Sequence, residues 1–142
     1  MLKLLIAIDG SEHARQAIVA AARLGKEVPR LEVVLLNVGE LPHFYGEPPP
    51  YDYEVVQREE RGRQEDLLEA AVTQARACGL EHVTKQSTVG APAREIVRVA
   101  AEHGVDQIVM GTRGMNALAG LLLGSVAQRV VHLAEVPVLL VK

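Results

Sequence analysis

The stretch LKLLIAIDGSEHARQAIVAAARLGKEVPRLEVVLLNV, residues 2–38, sets two unlike patterns side by side and decides the fold class. Its ends, LKLLIAI and LEVVLLNV, are short continuous apolar runs, the pattern of strands covered on both faces of a sheet. Between them Ala14, Ala17, Ile18, Ala21 and Leu24 recur at helical spacing, with Ser11 placed as N-cap and Gly25 as the stop. A strand, a helix and a second strand in this order predict a parallel pair joined by a helical crossover.

The rest of the chain repeats the alternation. Residues 39–53, GELPHFYGEPPPYDY, carry Pro42, Pro48, Pro49 and Pro50 and read as a long exposed loop. Every aromatic residue, Phe44, Tyr45, Tyr51 and Tyr53, falls inside it. Two readings stand for them: they pin the crossover onto the body, or they form a lid over a ligand. From about Glu54 to Cys78 the sequence predicts one long surface helix, with Leu67, Ala71, Ala75 and Cys78 on its inner stripe and its charges in solvent. HVTKQSTV, residues 82–89, is polar enough to be an edge strand. Pro92 opens a helix carrying Ile96, Val99, Ala100 and His103; DQIVMG is another buried strand; Val126, Val130 and Leu133 mark a last helix. VPVLLV, residues 136–141, closes the pattern. The expectation is an α/β fold: a five-stranded parallel sheet with helices on both faces, flavodoxin-like in strand count.

Proline cannot donate to a ladder, so Pro137 predicts that the last strand lies at an edge. So apolar an edge invites pairing, which predicts a homodimer through this C-terminal strand, the alternative being cover by the chain's own loops.

The 142 residues, 49% of them hydrophobic, suffice for one core, and a single domain over 1–142 is expected. A net charge of −3 gives no basic footprint, so neither nucleic acid nor a membrane is an expected partner. The N-terminal apolar run meets Asp9 too early for a signal or a span, which makes the expected location cytoplasmic. The single cysteine, Cys78, excludes an intrachain disulfide and reads as a small packed residue near a helix end. The motifs of P-loop nucleotide binding, dinucleotide binding, nucleophile elbows and zinc proteases are all missing. His13, His43, His82, His103 and His132 lack ligand spacing and read as surface or packed residues.

Ligands of open α/β sheets sit beyond the carboxyl ends of the strands, which here are Asp9, Val38 and Gly111. Asp9 is placed to bind sugar hydroxyls or a base amine, or else to cap the first helix. GTRGMNALAGLLLGS, residues 111–125, runs from a buried strand through a glycine loop to a helix start. Gly111 and Gly114 permit close approach of backbone N–H groups to a phosphate, with positive φ available, and Gly124 with Ser125 brings a helix N-terminus. A merely structural glycine loop is the competing reading. Arg113 reads as an exposed arginine, or as an added charge for that cradle. The apolar middle, LAGLLL with Gly120, reads as a packed turn or short helix.

At this point the chain resembles the ATP-binding branch of the universal stress proteins. The branch's pattern is Gly, two residues, Gly, nine residues, Gly, Ser or Thr; here it reads Gly111, TR, Gly114, MNALAGLLL, Gly124, Ser125. AIDGS in the first unit, NV at residues 37–38, the Gly-x-Pro at 90–92 and the terminal VPVLLVK extend the resemblance over nearly the whole chain. It implies Asp9 at the adenosine, the Val38 backbone at the adenine edge, Gly111, Gly114, Gly124 and Ser125 at ribose and phosphates, and Val126 as a further N–H. It implies ATP, or ADP or AMP, with Mg2+ or Mn2+ held by the phosphates, and dimerisation through the last strand. Ala7 and Met110 flank this site as core residues. The function implied is an ATP-binding stress-response regulator acting as a nucleotide-dependent dimeric switch, with no catalytic residue assigned. The alternatives are a slow ATPase or nucleotidyl- or phosphoryl-transfer enzyme, and an interaction protein without nucleotide.

Overall fold

The computed structural model describes residues 1–42, 45–47, 50–113 and 123–142. The elements in chain order are β1 (Leu2–Ala7), α1 (Glu12–Gly25), β2 (Leu31–Gly39), α2 (Tyr53–Ala77), β3 (His82–Val89), α3 (Pro92–Glu102), β4 (Gln107–Gly111), α4 (Ser125–Leu133) and β5 (Val138–Val141). All strand pairs are parallel, in the order β3-β2-β1-β4-β5. The chain therefore builds outward from β1 in one direction and then resumes on its other side. The switch point lies between β1 and β4, an ordering that strand count alone does not give.

Alternation along the central strands explains their continuous apolar sequence. Leu4 and Ile6 of β1, with Val33 and Leu35 of β2, pack with Ile18 of α1 and Leu68 of α2 on one face. Leu5 and Leu36 point to the other face, against Ile96 and Val99 of α3 and Val130 of α4. Ser11 caps α1 as expected, its Oγ accepting from the Ala14 N–H at 3.2 Å.

β3 is an edge, with no fully buried side chain along His82–Val89. β5 is the other edge. It spans Val138–Val141, shorter than the expected 136–141, because its ladder with β4 begins at the Pro137 carbonyl, which accepts from the Ile108 N–H at 3.0 Å. Proline thus enters the sheet through the only backbone group it can offer.

One expectation along the long helix needs correction. Its buried stripe is Gln64, Leu68, Ala71, Val72 and Ala75, while Leu67 and Cys78 are only half-buried at its margin. The helix also begins at Tyr53, capped by Asp52, whose Oδ1 accepts from the Glu54 N–H at 2.9 Å. Tyr45 and Tyr51 do not pin the loop, being 97% and 43% exposed. His43, Phe44, Pro48 and Pro49 lie outside the described residues.

Candidate functional site

A cavity of about 640 Å³ opens at the carboxyl ends of β1, β2 and β4, at the switch point. Its walls are Ala7 to Asp9 after β1, Leu36 to Val38 on β2, Met110 to Arg113 on and after β4, and Gly124 to Val126 at the start of α4. The structure thus brings together six of the seven expected site residues: Asp9, Val38, Gly111, Gly124, Ser125 and Val126. Gly114 lies outside the described residues, as do residues 118–122 of the LAGLLL segment with Gly120, while its last residue, Leu123, is half-buried against the core as expected of a packed segment.

Asp9 serves the turn and borders the cavity. Its Oδ1 accepts from the Ser11 N–H at 2.9 Å, while the capping of α1 falls to Ser11 itself. Gly10 between them has φ +85°, a conformation that a side chain would strain. Asp9 thus fixes the loop that carries its own exposed carboxylate over the cavity.

Val38 offers its backbone. The Leu36 carbonyl accepts from the Ile8 N–H at 2.8 Å, towards β1, and the Gly39 carbonyl accepts from the Gly90 N–H at 3.0 Å, towards β3. Because backbone groups alternate sides along a strand, the N–H and C=O of Val38 face the β1 side, beyond the point where β1 ends. One donor and one acceptor side by side suit the edge of a heterocyclic base.

Gly124 stands at the head of α4, as expected. Neither Gly111 nor Gly124 uses positive φ; Gly124, the N-cap of α4, has φ −70° and ψ 160°. What requires glycine at 111 is packing, since a Cβ there would lie 2.6 Å from the His13 Cβ and 3.0 Å from the His13 backbone carbon. The Gly124 N–H donates to the Thr112 carbonyl at 2.6 Å. The N–H groups of Ser125 and Val126 belong to the first turn of α4, where no intrahelical carbonyl is available to them and where the helix dipole favours an anion. Arg113 is not exposed. It is half-buried in the cavity wall, with its Nε shut off from solvent and without an acceptor among the described residues.

Sequence reasoning missed the residues beneath and opposite this site. Gln64 on α2, 2% exposed, donates through Nε2 to Asn37 Oδ1 at 3.0 Å, the Asn37 carbonyl at 3.3 Å and the Thr88 carbonyl at 2.9 Å. Asn37 in turn donates from Nδ2 to the Ile8 carbonyl at 2.6 Å. This buried network ties the ends of β1, β2 and β3 to α2. Its signals were a lone Asn in the apolar LLNV and a Gln in helical phase with Leu68, Ala71 and Ala75.

Glu60 and Arg63, one turn apart on α2, also line the cavity. Arg63 donates from Nε and Nη2 to the Glu60 carboxylate at 3.0 and 2.8 Å. That hydrogen bonding, aided by attraction to the guanidinium and opposed by partial burial, holds the Glu60 carboxyl below its ordinary value and raises Arg63. Both had been read as part of a solvated face. Among the described residues no group of three or more His, Cys, Asp and Glu could hold a metal ion, and no helix is long and apolar enough to cross a membrane.

A doubly wound parallel sheet whose switch point carries a backbone edge, a carboxylate and a helix N-terminus defines an α/β protein with its cleft at the carboxyl ends of the strands. The comparisons give the family: residues 1–142 match the sequence profile of the universal stress protein family, and the chain belongs to it. A universal stress protein of Thermus aquaticus is 39% identical over 143 residues, covering 98% of this chain and 97% of the relative. The solved structure of protein MJ0577, of Methanocaldococcus jannaschii, superposes with a TM-score of 0.73 at 31% identity, over 99% of this chain and 95% of that one. The universal stress protein of Archaeoglobus fulgidus in complex with dAMP does so with a TM-score of 0.67 at 25% identity, over 100% and 98%.

Proposed function

We propose that this chain is one adenine-nucleotide-binding domain over residues 1–142, acting in the cytoplasm as an ATP-dependent dimeric switch in stress regulation. The observation that carries the reading is the cavity at the switch point, with the Val38 backbone edge and Asp9 on one side and the N-terminus of α4 on the other. A related structure of the same fold is a complex with dAMP, which supports an adenine nucleotide as the ligand class.

In this reading Val38 reads the base, Asp9 meets the adenosine, and Gly111, Gly114, Gly124, Ser125 and Val126 hold ribose and phosphates. The helix start supplies N–H donors and a positive dipole end, which suits a chain of phosphate oxygens. ATP, or ADP or AMP in its place, carries Mg2+ or Mn2+ on the phosphates. No residue is assigned a catalytic role, because the residues placed at the phosphate end are backbone donors and one hydroxyl.

The test is whether a purine copurifies with the protein, followed by ATP titration of wild type and Gly124→Val. The valine is allowed by φ −70° but sets a side chain at the head of α4. ATP affinity is expected to fall at least about tenfold, the order of one lost charge-assisted hydrogen bond. Equal affinity of the two proteins would remove the site assignment.

A further inference from the structure

We infer that residues 53–61, the first turns of α2, form a lid that pivots at Gly62 and closes over a ligand in the cavity. The inference rests on the nucleotide-binding reading above and adds the moving part that regulates entry to that site.

The helix is anchored on one side of Gly62 only. Beyond it lie the buried residues of α2, Gln64, Leu68, Ala71, Val72 and Ala75, whereas no residue of 53–61 is buried. In that first part Tyr53, Val56, Gln57 and Glu60 are half-buried and the rest exposed. The half-buried residues recur at helical spacing, in phase with Gln64 and Leu68, so the segment turns one face towards the body while burying little of it. A segment with so little buried surface opens with a small change in free energy.

Gly62 stands where the anchored and unanchored parts meet. Among the described residues it is the only glycine in a helix interior, Gly25 being the last residue of α1. No packing calls for it, since a Cβ there would meet nothing within 4 Å. Glycine in an exposed helix interior is about fivefold less favourable than alanine, and what it supplies is backbone freedom.

The pivot is also at the cavity. Glu60 and Arg63 line it from either side of Gly62, and Arg63 donates across the glycine from Nε and Nη2 to the Glu60 carboxylate at 3.0 and 2.8 Å. Glu60 stands over the end of β2, where a Cβ on Gly39 would lie 2.8 Å from its Oε1. Bending at Gly62 moves Glu60 relative to both Arg63 and the cavity rim, so the ion pair works as a latch on the straight helix. With Arg63 half exposed the pair is weak, within what a bound ligand can offset.

The experiment follows amide hydrogen exchange and ATP affinity in wild type and Gly62→Ala. The amides of residues 57–61 exchange through opening of their own segment, so a ligand that only stabilises the whole fold leaves their rates alone. With ATP and Mg2+ they are expected to slow at least about fivefold, the lower end of coupling between a ligand and a two-state element. Gly62→Ala favours the straight helix, so it should bind ATP about fivefold more weakly while unfolding at no lower denaturant concentration than wild type. A glycine with a purely structural role would change stability and leave affinity as it was. ATP that binds without slowing residues 57–61, or that binds both proteins equally, overturns the inference and leaves nucleotide binding standing. A wild-type protein that does not bind ATP overturns the parent reading as well.

Discussion

The Gly124 N–H donates to the Thr112 carbonyl at 2.6 Å, and Thr112 donates its own N–H to the Val141 carbonyl at 2.9 Å. One residue thus connects the head of α4, at the cavity, to the end of the outermost strand β5. The torsion φ −70° at Gly124 is one that proline adopts, but the proline Cδ would lie along the former N–H direction against the Thr112 carbonyl, so Gly124→Pro both removes the donor and crowds the acceptor. We expect Gly124→Pro to lose about 3 kcal/mol or more of stability, since the buried Thr112 carbonyl loses its partner and meets the proline ring instead. Gly124→Ala, which keeps the N–H, should lose clearly less. Denaturant midpoints compare the two, and equal losses would mean that this bond contributes little.

Gly111 is fixed by its neighbour on α1. A Cβ at that position would stand 2.6 Å from the His13 Cβ, so Gly111→Ala should cost about 1–3 kcal/mol through overpacking. His13→Gly in the same chain removes the nearest atom and should recover part of that loss. Strict additivity of the two changes in a double-mutant cycle would show that the collision is relieved some other way.

The Gln64 amide is the hub beneath the site. Gln64→Leu keeps the size but strips the donors from Asn37 Oδ1 and the Thr88 carbonyl, and should destabilise by about 3 kcal/mol. Gln64→Glu should cost at least as much, because it turns carboxylate lone pairs towards three acceptors. A thermal melt within a degree or two of wild type for Gln64→Leu would mean that those acceptors find other partners, given the ~2–4 °C that each kcal/mol is worth in a chain of this size.

The doubly covered strands were legible because their apolar runs have one physical meaning, and Pro137 and the polar HVTKQSTV named the two edges in advance. The strand order was not, since hydrophobic pattern records that a strand is buried and not which strand lies beside it. At the site, strand ends and a helix start marked Asp9, Val38 and Gly124. The reason for Gly111 was invisible, because it depends on His13, whose approach from α1 only the fold creates. Arg113 and Glu60 are half-buried for one cause, a charged residue reading as solvated until the third dimension closes over it, whereas Arg63 keeps the solvated place its sequence position suggests.

Glu60 gives a pH signature. Arg63 holds its carboxyl below the ordinary value, so the pair contributes stability that is fully present above the ordinary glutamate value, about pH 4.3, and is lost as pH falls through the lowered one. Glu60→Gln should therefore be less stable than wild type at neutral pH, with the gap closing on acidification. Arg63 is 50% exposed at its side chain, so solvent screening keeps the gap under about 1 kcal/mol. Urea unfolding from neutral to acid pH reads it out, and a gap that widened towards acid would reverse the assigned sign.

The proposed dimer edge can be tested one backbone group at a time. The carbonyls of Pro137 and Val141 both engage β4, as acceptors from Ile108 and Thr112. By the alternation of a strand, the N–H and C=O groups of Val138 and Leu140 point the other way, to the open side of β5. Leu140→Pro thus deletes a donor from the outer edge and leaves the β4 ladder its bonds, a position where proline is tolerated. If two copies pair through β5, sedimentation should show Leu140→Pro as a folded monomer at concentrations where wild type is a dimer, with far-ultraviolet circular dichroism retained. Arg129→Ala, a control at an exposed position of α4, should leave the dimer in place. A Leu140→Pro protein that folds and still sediments as a dimer would move the interface off this edge, and the apolar residues Val131 and Leu133, 47% and 40% exposed near the end of α4, would then be the surface to substitute next.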